Sequence, residues 1–186
     1  VAVSPAAGYG YWFQQPVRVT SKNELTIYDE VYPTVVTPAA PGYRYLPDAQ
    51  IRTGSEGSFD GNNIYHSSGE GQSKCQVAAS NTTATYIIRV QNDGKSADAI
   101  TVTGDGPYSG WTVRYFDAVT GGNEITSQVT SGGWTTAALT TGSYKDLRLA
   151  VTPSASVRGD VVQPVRVKTT STCDTGYADY AYTYTR

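Results

Sequence analysis

From residue 84 onward, apolar side chains recur at every second position. In the run Tyr86–Gln91, Tyr86, Ile88 and Val90 fall on one face, and Ile87, Arg89 and Gln91 on the other. Successive side chains of a strand point to opposite faces, so the run predicts a strand with one buried and one wetter side. The same alternation returns at Ile100 and Val102, at Trp111, Val113 and Tyr115, and at Leu147, Leu149 and Val151. It returns again at Val165 and Val167, and at Tyr180, Tyr182 and Tyr184. Between these runs stand turn clusters such as Asn92-Asp93-Gly94 and Gly104-Asp105-Gly106-Pro107. Asn and Gly tolerate the positive φ that tight turns require. No long window keeps a helical period with good helix formers. Short strands at regular spacing predict an all-β sandwich or barrel of about seven strands.

The N-terminal stretch reads differently. Val17, Val19, Leu25 and Ile27 are strand-like, but beyond them the chain is interrupted by Pro33, Pro38, Pro41 and Pro47. Proline lacks the N–H that a central strand needs, which predicts an edge strand, linker or extended coil. The expected organisation is an extended arm over residues 1–46 and a β-sandwich over 47–186. Gln15-Pro16-Val17-Arg18-Val19 is repeated as Gln163-Pro164-Val165-Arg166-Val167. A segment that echoes a sandwich's own strand is suited to occupy a strand position in a neighbouring copy.

From Pro47 onward the chain resembles bacterial secreted immunoglobulin-like modules of the cell-adhesion-related CARDB class. The resemblance rests on Pro47-Asp48-Ala49-Gln50-Ile51-Arg52, Gly61-Asn62-Asn63-Ile64-Tyr65 and Tyr86–Gly94, and on Gly110–Phe116 and Leu149–Pro153. It implies an immunoglobulin-like Greek-key sandwich with surface or scaffolding roles, and it offers no catalytic residues to carry over. The arm and two cysteines depart from that pattern.

Composition narrows the classes further. The net charge is −2 with a pI near 5.3, so no basic face is expected and nucleic acid is a poor partner. No apolar run is long enough for a membrane span. Charged residues make up only 16% of the chain, and methionine is absent. A chain opening on Val1 fits an expectation of export after signal-peptide removal, to the cell surface or beyond. Cys75 and Cys173 lack metal-ligand spacing, so in an exported protein they are expected to form a disulfide, the alternative being two buried thiols. A loop of roughly 100 residues closed in that way would stabilise the fold by up to about 4.7 kcal/mol.

Chemistry-bearing motifs are sparse. His66 is the single histidine and stands in a loop-like stretch without a nucleophile elbow. The acids are scattered through turns, where Asp is favoured for local hydrogen bonding. No catalytic residue and no cofactor is expected. Calcium is the one ion for which oxygen-rich turns exist, at Asp60-Gly61-Asn62-Asn63 and at Asp93-Gly94 with Asp98, though neither has EF-hand spacing. Asn81-Thr82-Thr83 matches an N-glycosylation acceptor.

Aromatic residues say more. There are fifteen tyrosines, and Tyr9, Tyr11, Trp12 and Phe13 form a tight group in the arm. An exposed aromatic group calls for something to cover it. Trp111 and Trp134 are expected to pack in the core or at its rim. Tyr180, Tyr182 and Tyr184 could serve as core, as subunit contact or as a stacking surface for sugars. The leading expectation is therefore a non-enzymatic extracellular subunit that self-assembles into a filament, pilus or surface layer. Residues 9–20 would be the donor strand, with Trp12, Phe13, Val17 and Val19 filling pockets in another copy. The alternative is a carbohydrate-binding or adhesive surface module.

Overall fold

The computed structural model describes residues 43–186 in full and, ahead of them, the backbone of four short strands. The chain divides into two compact units, Val1–Ala40 and Pro41–Arg186. In the first, β1 (Trp12–Gln14) pairs antiparallel with β4 (Thr34–Val36), and β2 (Val17–Thr20) with β3 (Tyr28–Val31). Both ladders share one register, as a single hairpin requires. The expected extended arm is thus replaced by strands that pair with one another.

The second unit begins a few residues before the expected boundary. Tyr43 and Arg44 accept backbone hydrogen bonds from Lys95 and Ser96, and Asp93 N–H donates to Leu46 O. The sandwich proper starts at Pro47, with β5 (Pro47–Thr53), β6 (Ser73–Gln76), β7 (Ala84–Asn92), β8 (Ile100–Gly104) and β9 (Trp111–Phe116). The six-residue helix α1 (Thr126–Ser131) comes next. Then come β10 (Trp134–Thr135), β11 (Tyr144–Pro153), β12 (Gln163–Ser171) and β13 (Ala178–Thr185).

These strands sort into two sheets. One has the order β5-β7-β11-β9, antiparallel throughout, and the other the order β10-β8-β12-β13-β6. Only β6 runs parallel to its neighbour, β13. This is the immunoglobulin-like Greek-key arrangement, with the first strand in one sheet and its continuation, β6, crossed over to the edge of the other. The alternation read from the sequence explains the packing. Tyr86, Ile88 and Val90 from β7 meet Val113 and Tyr115, Leu147 and Leu149, and Val165 and Val167 in one core, with Trp111 buried and Trp134 at its rim. Full burial of each such side chain stabilises by roughly 1.5–3 kcal/mol. Tyr86 ties the sheets together, because its hydroxyl reaches Tyr184 O and Thr185 Oγ1 on β13, both at 3.0 Å.

Two positions depart from simple alternation. Ile87 lies on the outer face of its sheet yet is 1% exposed. It stands in register between Arg52 and Arg148, whose long stems can cover apolar surface while their charges stay wet. The second departure is Asp179, a carboxyl on the inward face of β13 alongside Ala181, Thr183 and Thr185.

Candidate functional site

Asp179 is the centre of a buried polar network where the chain crosses between sheets. Its Oδ2 accepts from the Ala49 backbone N–H and from Gln72 Nε2, each at 2.7 Å. Its Oδ1 accepts from the His66 N–H at 3.1 Å. Gln72 also donates to Ala49 O, so the loop between β5 and β6 is tied to both sheets. Beside it on β5, Asp48 Oδ2 accepts from Gln50 Nε2 at 2.7 Å and from the Asn63 N–H at 3.2 Å. Asp48 Oδ1 is buried and has no hydrogen-bond partner among the described residues. Asp93 closes the outer end, accepting from Tyr65 Oη at 2.6 Å and Gln91 Nε2 at 2.7 Å.

The network is built from acids, amides and backbone donors, and no lysine or arginine enters it. Burial therefore pushes the carboxyls up: Asp179 to about 8, and Asp48 well above the usual range, with the charges of Asp179 and Asp93 adding to the effect. Burial and the Asp93 contact likewise hold the Tyr65 phenol protonated. Asp179 is surrounded by N–H donors, which favour its charged form. Asp48, with one unpartnered oxygen, is the better place for the proton that the pair retains. The arrangement pins a loop, and it provides neither a nucleophile nor an acid–base pair open to a substrate. The sequence did hold one signal for it, a carboxylate at an inward position of a strand.

Most oxygens of the calcium candidates are taken by protein donors, while Asp98 Oδ2 is buried and has no hydrogen-bond partner among the described residues. Asp60 Oδ2 pairs with Lys74 Nζ at 2.7 Å. Asn62 Oδ1 accepts from Gln50, both Asp93 oxygens are taken, and Asp98 Oδ1 accepts from Thr172 Oγ1 at 3.2 Å. Among the described residues no group of three or more His, Cys, Asp or Glu is arranged to hold a metal ion. His66 contributes its backbone N–H to Asp179 and its ring nitrogen Nδ1 to a contact with Ser68 Oγ.

The expected disulfide does not form: Cys75 and Cys173 are exposed free thiols. The topology gives the reason. Cys75 is in register with Tyr184 near the end of β13, whereas Cys173 lies in the turn before that strand begins at Ala178. About six residues of strand put them about 20 Å apart, against a limit near 7 Å between bridged Cα atoms.

Tyr180, Tyr182 and Tyr184 do share the outer face of β13. Lys168 lies over the Tyr180 ring, and Tyr182 Oη donates to Ser67 O at 3.1 Å. Tyr184 is the most exposed of the three, at 37%. Asn81 is exposed in the turn before β7, with φ of 61°. Of the arm residues, Trp12, Phe13, Val17 and Val19 fall on paired strands, and Tyr9 and Tyr11 lie outside the described residues. The echoed segment at Gln163–Val167 belongs to β12, which has β8 on one side and β13 on the other. The segment pairs with β13 along its whole length, whereas β8 reaches it only at Val167.

Among the described residues, β6 presents an open strand edge that the sequence did not reveal. Gln72 O and Gln76 O accept from Tyr182 and Arg186 N–H, and Ala78 N–H donates to Arg186 O. Even-numbered residues of β6 thus face β13, so the backbone groups of Ser73, Cys75 and Val77 point away from the sheet. Val77 is 72% exposed. By contrast, the outer edge of β9 is capped, with Ile125 N–H donating to Tyr115 O and Tyr115 N–H to Thr126 Oγ1.

No protein-family model matches the chain, and no curated protein matches it in sequence. Among solved structures it is similar to a PapD-like (ASH) domain of human CEP192, at 12% identity. That likeness has a TM-score of 0.40 and covers 82% of this chain and 92% of that one.

Proposed function

We propose that this chain is an extracellular structural module that self-associates by strand addition at β6. The reading rests on the outward-facing backbone of Ser73, Cys75 and Val77, an unpaired edge beside an exposed valine. Unpaired edges of this kind pair readily with other chains unless blocked. A two-stranded hairpin is marginal by itself, which makes the N-terminal hairpin of a second copy the natural donor. Main-chain hydrogen bonds would set the register, and repetition of such a head-to-tail contact would extend into a filament or surface layer. In this reading the chain is not an enzyme and needs no cofactor, calcium included. The half-exposed tyrosine face of β13 favours a second reading, an adhesive module that takes glycans.

The test uses Cys75→Pro. The N–H removed points away from β13, so the sandwich keeps its own ladder while the edge loses a donor. Cys75→Ser controls for the thiol. Light scattering and electron microscopy at neutral pH should show oligomers or filaments for the wild type and Cys75→Ser. The proline variant, and a chain lacking residues 1–40, should be monomeric. A monomeric wild type, or normal assembly by Cys75→Pro, would remove the proposal.

A further inference from the structure

The outer face of the β5-β7-β11-β9 sheet carries an open trough of about 590 Å³ spanning β7, β11 and β9. Register arranges its floor in rows. Thr83 at the head of β7 touches Thr152, their hydroxyls 2.8 Å apart, and Thr152 pairs with Thr112. The next row is Thr85, Ala150 and Arg114, and the last brings Arg148 beside Phe116. A band of hydroxyls therefore ends in two guanidinium groups.

No carboxylate lines the trough. Arg114 is exposed and makes no hydrogen bond or ion pair among the described residues. Arg148 is fixed in place: it donates to Val119 O at 3.1 Å and Gly121 O at 3.2 Å and lies 4.1 Å from the centre of the Phe116 ring. Carbonyl oxygens and an aromatic face orient the guanidinium without neutralising it. The acids just beyond Phe116 in sequence are turned elsewhere, Asp117 to Asn123 and Glu124 to Thr126. Two positive charges are thus left uncompensated over a hydroxyl-lined floor on a chain whose net charge is −2.

We propose that this trough binds an acidic polysaccharide of the uronate class. Arg114 is the carboxylate-binding residue, and the threonine rows engage ring hydroxyls. Threonine both donates and accepts, which matches a sugar hydroxyl, and a guanidinium presents paired donors to a carboxylate. Nucleic acid fits poorly, since Arg148 already occupies the Phe116 ring and two cations do not track a phosphate backbone. The trough lies on the opposite sheet from β6, so it stands or falls apart from self-association.

The probe is an α-1,4-linked galacturonate hexamer, titrated calorimetrically into the full chain. Its methyl ester, cellohexaose and potassium sulfate serve as comparisons. Saturable binding is expected for the acid. The ester should bind at least about tenfold more weakly, the loss expected from one charge-assisted hydrogen bond. Arg114→Ala should abolish the difference between acid and ester, and Thr85→Val should weaken both, with melting temperatures confirming that each variant is folded. Equal binding of acid and ester, unchanged binding by Arg114→Ala, or no binding by the wild type would overturn the proposal. Sulfate binding as tightly as the hexamer would reduce the site to a simple anion contact and overturn it as well.

Discussion

Replacing Asp48 by asparagine should make the pH dependence of stability of the sandwich above pH 5 shallower, leaving the part that belongs to Asp179. In the unfolded chain both Asp48 and Asp179 ionise near the ordinary carboxyl value of 3.8. In the folded protein Asp179 is pushed up to about 8 and Asp48 is raised well above its usual range, chiefly by burial. Between those limits the folded state binds more protons than the unfolded one. Stability is therefore full below about pH 4 and falls as the pH rises towards about 8. A shift of roughly four units in one group corresponds to about 5 kcal/mol as an upper limit, and relaxation of the loop around Asn63 reduces it. The partly exposed acids Glu56 and Asp117 act in the opposite sense, because hydrogen bonds hold them below their usual values. Their effect is lost only as the pH falls through the ordinary carboxylate range.

The two acids of the network should respond differently. In Asp48→Asn an amide oxygen still accepts from Gln50 and Asn63, and no buried proton is required. Asp179 is then left among N–H donors with one anionic neighbour fewer. Urea unfolding of this variant from pH 5 to pH 9 should give a midpoint that falls less steeply than that of the wild type, because burial alone still raises Asp179. Asp179→Asn sets an NH2 group against the donors of Ala49, Gln72 or His66. Leaving such a donor unsatisfied costs roughly 1–3 kcal/mol at any pH. A wild-type midpoint that stays level or rises between pH 5 and pH 8 would refute the reasoning. So would an Asp48→Asn variant that declines in parallel with the wild type.

The packing carries three further expected outcomes. Two thiols per chain should react with a chromogenic disulfide in the native protein, and reductant should leave the melting temperature unchanged; one or no reactive thiol would contradict the exposed placement. Tyr86→Phe should lose about 1 kcal/mol in urea unfolding, since it removes the hydroxyl that joins Thr185 and Tyr184 O across the sheets. Gly69→Ala should cost about 1–3 kcal/mol, because φ is +69° there and an added Cβ would meet the Tyr182 ring; a neutral effect would show that the loop is not seated as described.

What the sequence disclosed and what it hid divide along the range of the interactions. Alternation of period two is local, so Tyr86, Ile88 and Val90, and Leu147, Leu149 and Val151, could be assigned to the core without knowing their neighbours. Turn chemistry is local too, and it separated the strands correctly. Whether two cysteines approach is not local. It depends on which strands pair and in what register, and Cys75 becomes remote from Cys173 only once β6 is known to lie alongside the far end of β13. The same holds for the polar network. Asp48, Asn63, Gln72 and Asp179 come from four separate stretches of chain, and nothing in any one stretch announces the others. The trough is an intermediate case. Its threonines and arginines are simply the outward halves of alternating strands, visible as such in the sequence. Their assembly into one hydroxyl band with two uncompensated charges needed the pairing of β7, β11 and β9. A charge left unpaired after strand pairing is physical information that spacing along the chain does not contain.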